Sequence, residues 1–355
     1  SGGKLERVLE RLTGNVIFAV LLGALVTAVI QSSSATTVIV AGLVNAKSLK
    51  LRNAIGVIMG ANIGTTVTSQ ILRLTDLQGD NLFLQIVKPT TLAPLAAFVG
   101  IIIFMTAKRS SVKSAGSIFL GFGILFTGMF NMEAAVEPLS AMPEFEQLFA
   151  ALSNPVLGVL VGAVVTAIIQ SSSASIGILQ ALSSTGQITC SAAFPIIMGQ
   201  NIGTCITPIL ASIGASKNAK RSAVVHLSFN VIGTIIFLIV TYSVQFTVGI
   251  PFWNDVITKG GIANFHTLFN VVVTLIFIPF TRFLEKLACA IVRDKDKKPD
   301  APADAISLET RLLATPVLAI EQGKKAVASV AATAQVMLDD ATSLIDHYDG
   351  KGFER

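Results

Sequence analysis

Gln31-Ser32-Ser33-Ser34-Ala35 sits between two apolar runs, residues 14–30 and 35–46, and the same five residues return as Gln170-Ser171-Ser172-Ser173-Ala174, again within apolar sequence. A second polar signature follows each copy. Gly60-Ala61-Asn62-Ile63-Gly64-Thr65-Thr66 comes after the first, and Gly199-Gln200-Asn201-Ile202-Gly203-Thr204-Cys205 after the second. Both pairs stand 139 residues apart, so the motifs recur in one register with no insertion or deletion between them. The chain therefore carries an internal duplication, and its polar parts fall where hydrocarbon excludes them unless they face protein, water or a ligand.

The surrounding composition places this duplication in a membrane. Of 355 residues, 52% are hydrophobic and 13% charged, with a mean hydropathy of +0.72, which is far from a soluble domain. The expected fold class is an all-α polytopic membrane protein. Several apolar runs fall short of the ~20 residues a spanning helix needs. Short segments interrupted by Gly or Ser at matching places in two halves are a mark of discontinuous helices in secondary transporters. Cys190, Cys205 and Cys289 are scattered and odd in number, which indicates neither a disulfide framework nor a zinc site. The +5 net charge resides mostly in loops and the C-terminal end, so it reads as topology and not as affinity for nucleic acid.

Loop charge assigns the sides, because Lys and Arg collect in cytoplasmic loops. Lys4, Arg7 and Arg11 precede the first motif and Lys47, Lys50 and Arg52 follow it, so residues 14–46 should enter and leave on the cytoplasmic side as a re-entrant helical hairpin. The second copy has reversed flanks: Glu133, Glu137, Glu144 and Glu146 precede it, and residues 183–191 after it are uncharged. That hairpin should enter from outside. Two copies of one sequence with opposite orientation form inverted-topology repeats, here residues 1–132 with connecting helices and residues 133–293. The hydrophobic helix Phe119–Met132 precedes the second hairpin, and its counterpart would precede residue 1, so the first helix of repeat one is expected to be missing. Residues 294–355 are expected to form a cytoplasmic linker and a short amphipathic helix, with Leu312, Leu313, Val317, Leu318, Ile320, Val327 and Val330 on its stripe.

The motifs suggest a chemistry. A break at the serines would free backbone N–H groups at the start of each returning half-helix, near Ala35 and Ala174, and such an N-terminus attracts anions. Hydroxyls of Ser32, Ser33, Ser34, Ser171, Ser172 and Ser173, with the amides of Gln31 and Gln170, add neutral donors that could surround a tetrahedral oxyanion. The same oxygens, with those of Asn62, Thr65, Asn201 and Thr204, are hard ligands for an alkali cation. The apolar runs contain no Asp or Glu, which removes the usual candidates for a carboxylate proton relay. With so little fixed positive charge, a divalent anion would need co-bound cations. Lys88, the one Lys in those runs, is expected at a helix interface or snorkelling. His226 with Asn230, and His266 with Asn270, share the spacing His-x-x-Phe-Asn and are expected to hydrogen-bond between helices.

The doubled Gln-Ser-Ser-Ser, each followed by Gly-x-Asn-Ile-Gly-Thr, together with Arg221–Asn230 (R-S-A-V-V-H-L-S-F-N), resembles the type II sodium-dependent phosphate cotransporter family in its bacterial form, over roughly residues 5–290. Leu308–Pro316 looks like the start of the PhoU-like tail of bacterial relatives. The resemblance implies a transporter and not an enzyme, importing inorganic phosphate with Na+ as the co-transported ion. Substrate binding would fall to Gln31, Ser32, Ser33, Ser34, Gln170, Ser171, Ser172 and Ser173. Sodium would fall to Asn62, Thr65, Thr66, Asn201 and Thr204, with oxygens of Ser33, Ser34, Ser172 and Ser173. Implied partners are phosphate, sodium and the lipid bilayer, with a homodimer allowed for and no nucleic acid. The implied location is a bacterial inner (plasma) membrane, multi-pass, with the tail cytoplasmic. Departures from the repeat are Ser175 in place of Thr36 and Cys205 in place of Thr66. Two readings stand beside this one: another oxyanion, such as arsenate or sulfate, or a phosphate sensor without transport.

Overall fold

The computed structural model describes residues 10–46, 48–76, 88–293 and 316–346. The chain runs through α1 (Val16–Ile30), α2 (Ser33–Asn45), α3 (Leu51–Leu72), α4 (Pro89–Thr106), α5 (Ser110–Val136), α6 (Pro143–Leu152), α7 (Pro155–Ile169), α8 (Ser172–Ser183), α9 (Cys190–Gly203), α10 (Ile206–Ala211), α11 (Lys217–Thr247), α12 (Lys259–Phe277), α13 (Thr281–Ile291) and α14 (Pro316–Asp346). No strand forms among the described residues. Six helices or continuous helix pairs are long and apolar enough to cross a membrane, and the protein is an all-α polytopic membrane protein. The helices α1 and α2 are too short to cross one alone.

Local chemistry fixes where the short helices begin and end. Asn15 caps α1 by accepting from the Ile17 N–H, and Asn154 caps α7, whose first residue is Pro155. Each helix stops at a glutamine in the left-handed conformation, Gln31 at φ 59° and Gln170 at φ 60°. These are the two non-glycine residues with positive φ among those described, an arrangement that costs energy for a residue with a Cβ. The returning helices then start at Ser33 and Ser172, two residues earlier than the sequence suggests. The reason is that Ser32 and Ser171 act as N-caps, their hydroxyls accepting from the N–H groups of Ala35 and Ala174.

Each entering helix lies beside the long helix that follows its hairpin. Gly60 of α3 touches α1 so closely that a Cβ there would stand 1.9 Å from the Val20 carbonyl oxygen, and at Gly199 of α9 it would stand 2.1 Å from that of Val159. Across each break a buried hydroxyl pair ties the two arms: Thr27 to Thr36 at 3.0 Å and Thr166 to Ser175 at 2.8 Å. Around this frame α3 packs against α1, α2, α8, α11, α12 and α13, and it is the central helix of the membrane part.

The two ends of the bundle differ in charge. At the end where α3 begins, Lys50 pairs with Glu10 at 2.6 Å, Asn53 donates to Thr13, Arg221 donates to the Val292 carbonyl, and Lys325 of α14 reaches the Ala46 carbonyl. At the end where α3 stops, Lys259 meets Asp76 and Glu133. There the Cys190 N–H donates to the Asp255 carbonyl, so α9 starts at the end where α3 finishes. Lys88 directly precedes α4, so it stands at a helix terminus, with Pro89 opening the helix one residue later. The run 193–210 falls within α9 and α10, which follow one another as a single apolar span over Cys190–Ala211. The tail helix α14 extends over 31 residues, longer than the short helix expected. Lys4, Arg7, Lys47, Leu312, Leu313 and the Leu308–Ala314 part of the proposed tail signature lie outside the described residues.

The glycine contacts give a direct test. Gly60→Ala and Gly199→Ala should each lower stability in detergent by about 1–3 kcal/mol through overpacking. Gly121→Ala and Gly128→Ala, where nothing lies within 4 Å, should leave the melting temperature unchanged or slightly raised.

Candidate functional site

The helix breaks present matched sets of polar groups. Ser33 and Ser172 are buried, Ser34 and Ser173 half-buried, and Gln31 and Gln170 exposed. Because Ser32 and Ser171 spend their oxygens on capping, their hydroxyl protons stay free to donate. The hydroxyls of Ser33, Ser34 and Ser172 make no hydrogen bond among the described residues. Each break therefore offers a helix N-terminus and serine donors, a neutral arrangement suited to an anion.

The two breaks meet through a residue that the motifs do not include. Thr68 of α3 donates to Gln31 Oε1 at 2.6 Å and accepts from the Ser173 hydroxyl at 3.3 Å. It thus joins the first break to the second, while the Gln31 Nε2 donates to the Ala28 carbonyl at 2.5 Å. The repeat register held the signal for it: Thr68 lies 139 residues before Thr207. The Thr207 hydroxyl oxygen is buried and without a hydrogen-bond partner.

The five residues expected to ligate sodium occupy a different setting. Asn62 donates to Asn230 Oδ1 at 3.1 Å, and its own Oδ1 lies 3.0 Å from His226 Nε2, so both ends of its amide bond to α11. Thr65 and Thr66 donate to the carbonyls of Ala61 and Ile63. Asn201 and Thr204 donate to those of Ile197 and Gln200. The single hydroxyl protons of Thr65, Thr66 and Thr204 are committed to the backbone, which leaves those three only oxygen lone pairs. No hydrogen bond among the described residues links any of the five to the serine motifs. The pairing expected of His226 and Asn230 between helices appears through Asn62, and His266 Nδ1 lies 3.4 Å from the Ser69 hydroxyl. Asn230 also donates to Cys205 Sγ at 3.3 Å, which gives the substituted position a structural partner.

The whole set consists of hydroxyls, amides, carbonyls and helix termini. It can hold an oxyanion by donation and an alkali cation by its oxygens, and it brings no carboxylate to the breaks.

Against known families, the chain matches Na+/Pi-cotransporter twice, over residues 1–134 and 131–252. It is 32% identical over 294 residues to the "Uncharacterized protein YqeW" of Bacillus subtilis, covering 82% of this chain and 90% of that one. It is 28% identical over 342 residues to the "Putative inorganic phosphate export protein YjbB" of Escherichia coli, covering 95% of this chain and 59% of that protein's length. Over 130 residues it is 35% identical to the "Sodium-dependent phosphate transport protein 2A" of Rattus norvegicus, 34% of this chain and 20% of that one. No solved structure matches.

The amide network behind the breaks can be tested by itself. Asn62→Ala should cost about 1–3 kcal/mol by leaving buried partners unpaired. Adding Asn230→Ala should cost less than the sum of the single changes, a coupling readable from denaturant unfolding in micelles.

Proposed function

This chain belongs to the Na+/Pi-cotransporter family, and on that premise we propose that it moves inorganic phosphate across a membrane, coupled to sodium, by alternating access. Phosphate binds between the two breaks, on Gln31 to Ser34 and Gln170 to Ser173. The observation that carries this reading is the junction at Thr68, where Gln31 of one break and Ser173 of the other hydrogen-bond to one hydroxyl. A site assembled from both breaks can be uncovered on either side by moving one against the other.

Residues 1–132 and 133–293 act as inverted repeats, each with a re-entrant hairpin. The opposed starting ends of α3 and α9 and the shared 139-residue register support that division. The end bearing Lys50, Lys217, Lys220 and Arg221 is cytoplasmic by the distribution of basic residues. On this reading α14 lies in the cytoplasm of a bacterial cell. Sodium enters as counter-charge. A divalent anion among neutral donors is poorly stabilised in a low dielectric until cations join it, and the oxygens of Asn62, Thr65, Thr66, Asn201 and Thr204, with those of the serines, are its ligands in this scheme.

Import follows from an inward sodium gradient. Export is the second reading, favoured by the name of the E. coli relative, a "Putative inorganic phosphate export protein". In proteoliposomes, labelled phosphate should accumulate when sodium is imposed outside and stay at background when choline replaces it; equal uptake in choline contradicts the coupling. Ser33→Ala and Ser172→Ala should each abolish sodium-dependent flux without changing the melting temperature by more than a few degrees. Reconstituting the chain in one orientation and reversing the gradient separates import from export.

A further inference from the structure

Lys259 is a charged side chain with no role in the scheme above, and its surroundings are unusual. Its side chain is 7% exposed, yet it stands at the end of the bundle where α3 stops. The ammonium lies 3.2 Å from Asp76 Oδ1 and 2.8 Å from Glu133 Oε1, and it donates to the Thr75 hydroxyl at 3.0 Å. The Glu133 contact is one of charge more than direction, because Oε1 makes no aligned hydrogen bond. Through these groups Lys259 ties α12 to α5 and to the turn that ends α3. Its main-chain carbonyl accepts from Gln180 Nε2 of α8, which donates equally to the Ser69 carbonyl, both at 3.1 Å. Ser69 is the chain neighbour of Thr68. One cluster therefore links the first unit, the second hairpin and α12, next to the junction of the two breaks.

On its outer side the cluster borders a cavity of about 460 Å³, lined by Arg73, Asp76, Ser183, Thr258 and Lys259 among others. Asp76 is 39% exposed and Lys259 only 7%, so water reaches the carboxylate far more than the ammonium. We propose that Lys259, Asp76 and Glu133 form the gate between this cavity and the serine site. The closed ion pair shuts the site from this end of the bundle. Opening it lets water hydrate the three charges from the cavity and separates α8 and α12 from the end of α3. A buried charge left without its partner is costly, so the closed arrangement is cooperative: it holds with all three groups or gives way. This inference rests on the transport reading for its purpose, and on the ion pair and cavity for its geometry. By the basic-residue rule this end faces outside, and the structure is the outward-closed state.

Accessibility tests it. In the full chain with Cys190, Cys205 and Cys289 replaced by Ala, Ser69→Cys places a thiol just inside the gate. A membrane-impermeant methanethiosulfonate is applied to proteoliposomes from the cavity side. Lys259→Met and Asp76→Asn should each speed modification by about tenfold, the population shift expected when a buried pair loses a member. Lys259→Arg, which keeps a cation facing both Asp76 and Glu133, should hold the rate near the original. Asp76 is partly exposed, so its variant reports even if Lys259→Met fails to fold. Unchanged modification rates in folded Asp76→Asn and Lys259→Met protein overturn the gate. Phosphate flux measured on the same preparations separates the two ideas: flux with unchanged labelling sinks the gate alone, while accelerated labelling with no sodium-dependent flux in the parent sinks the transport reading and leaves the gate.

Discussion

A helix broken within an apolar layer must satisfy its freed backbone groups from within the protein, and that requirement organises this molecule. Gln31 and Gln170 turn back through the left-handed region, their N–H groups returning to the carbonyls of Thr27 and Thr166 at 2.7 Å. Ser32 and Ser171 cap the helices that restart. Buried hydroxyl pairs clamp the arms. Because neither arm can span a bilayer alone, each leans on a long neighbour through glycine contacts, so the glycines of the second signature serve the break as much as the asparagines do. The strain at two glutamines persists because so much around them holds it in place.

Much of this was legible in the sequence. The doubled pentapeptide, its register and the reversed charge of the flanks marked two breaks, their spacing and the two unlike ends of the bundle. What periodicity and composition could not supply were partners distant in the chain. Asn62 reads as a ligand beside its own motif, yet it bonds to His226 and Asn230, more than 160 positions away. Thr68 escaped notice because it falls just beyond the recognisable string. Nothing in the sequence around Lys259 marks it, and only folding sets it between Asp76 and Glu133. Serine caps were missed for a simpler reason: three adjacent serines do not say which of them faces the backbone.

The electrical character of the centre separates it from the ends. Hydroxyls and amides at the breaks carry no net charge, while the ion pairs Lys50–Glu10, Lys259–Asp76 and Lys259–Glu133 stand at the ends of the bundle. Such a division suits a carrier. Under the proposed transport, the binding centre rearranges without tearing apart a permanent ion pair, and the charged contacts at the rim are the elements that open and close.

That dependence of the anion on its cations is the central claim, and thermodynamic linkage tests it most directly. Phosphate binding to the purified chain, titrated calorimetrically in sodium chloride and in choline chloride at equal ionic strength, should tighten steeply with sodium, and sodium binding should tighten by the same factor with phosphate. Phosphate binding of equal affinity in choline would contradict a neutral centre that relies on co-bound cations.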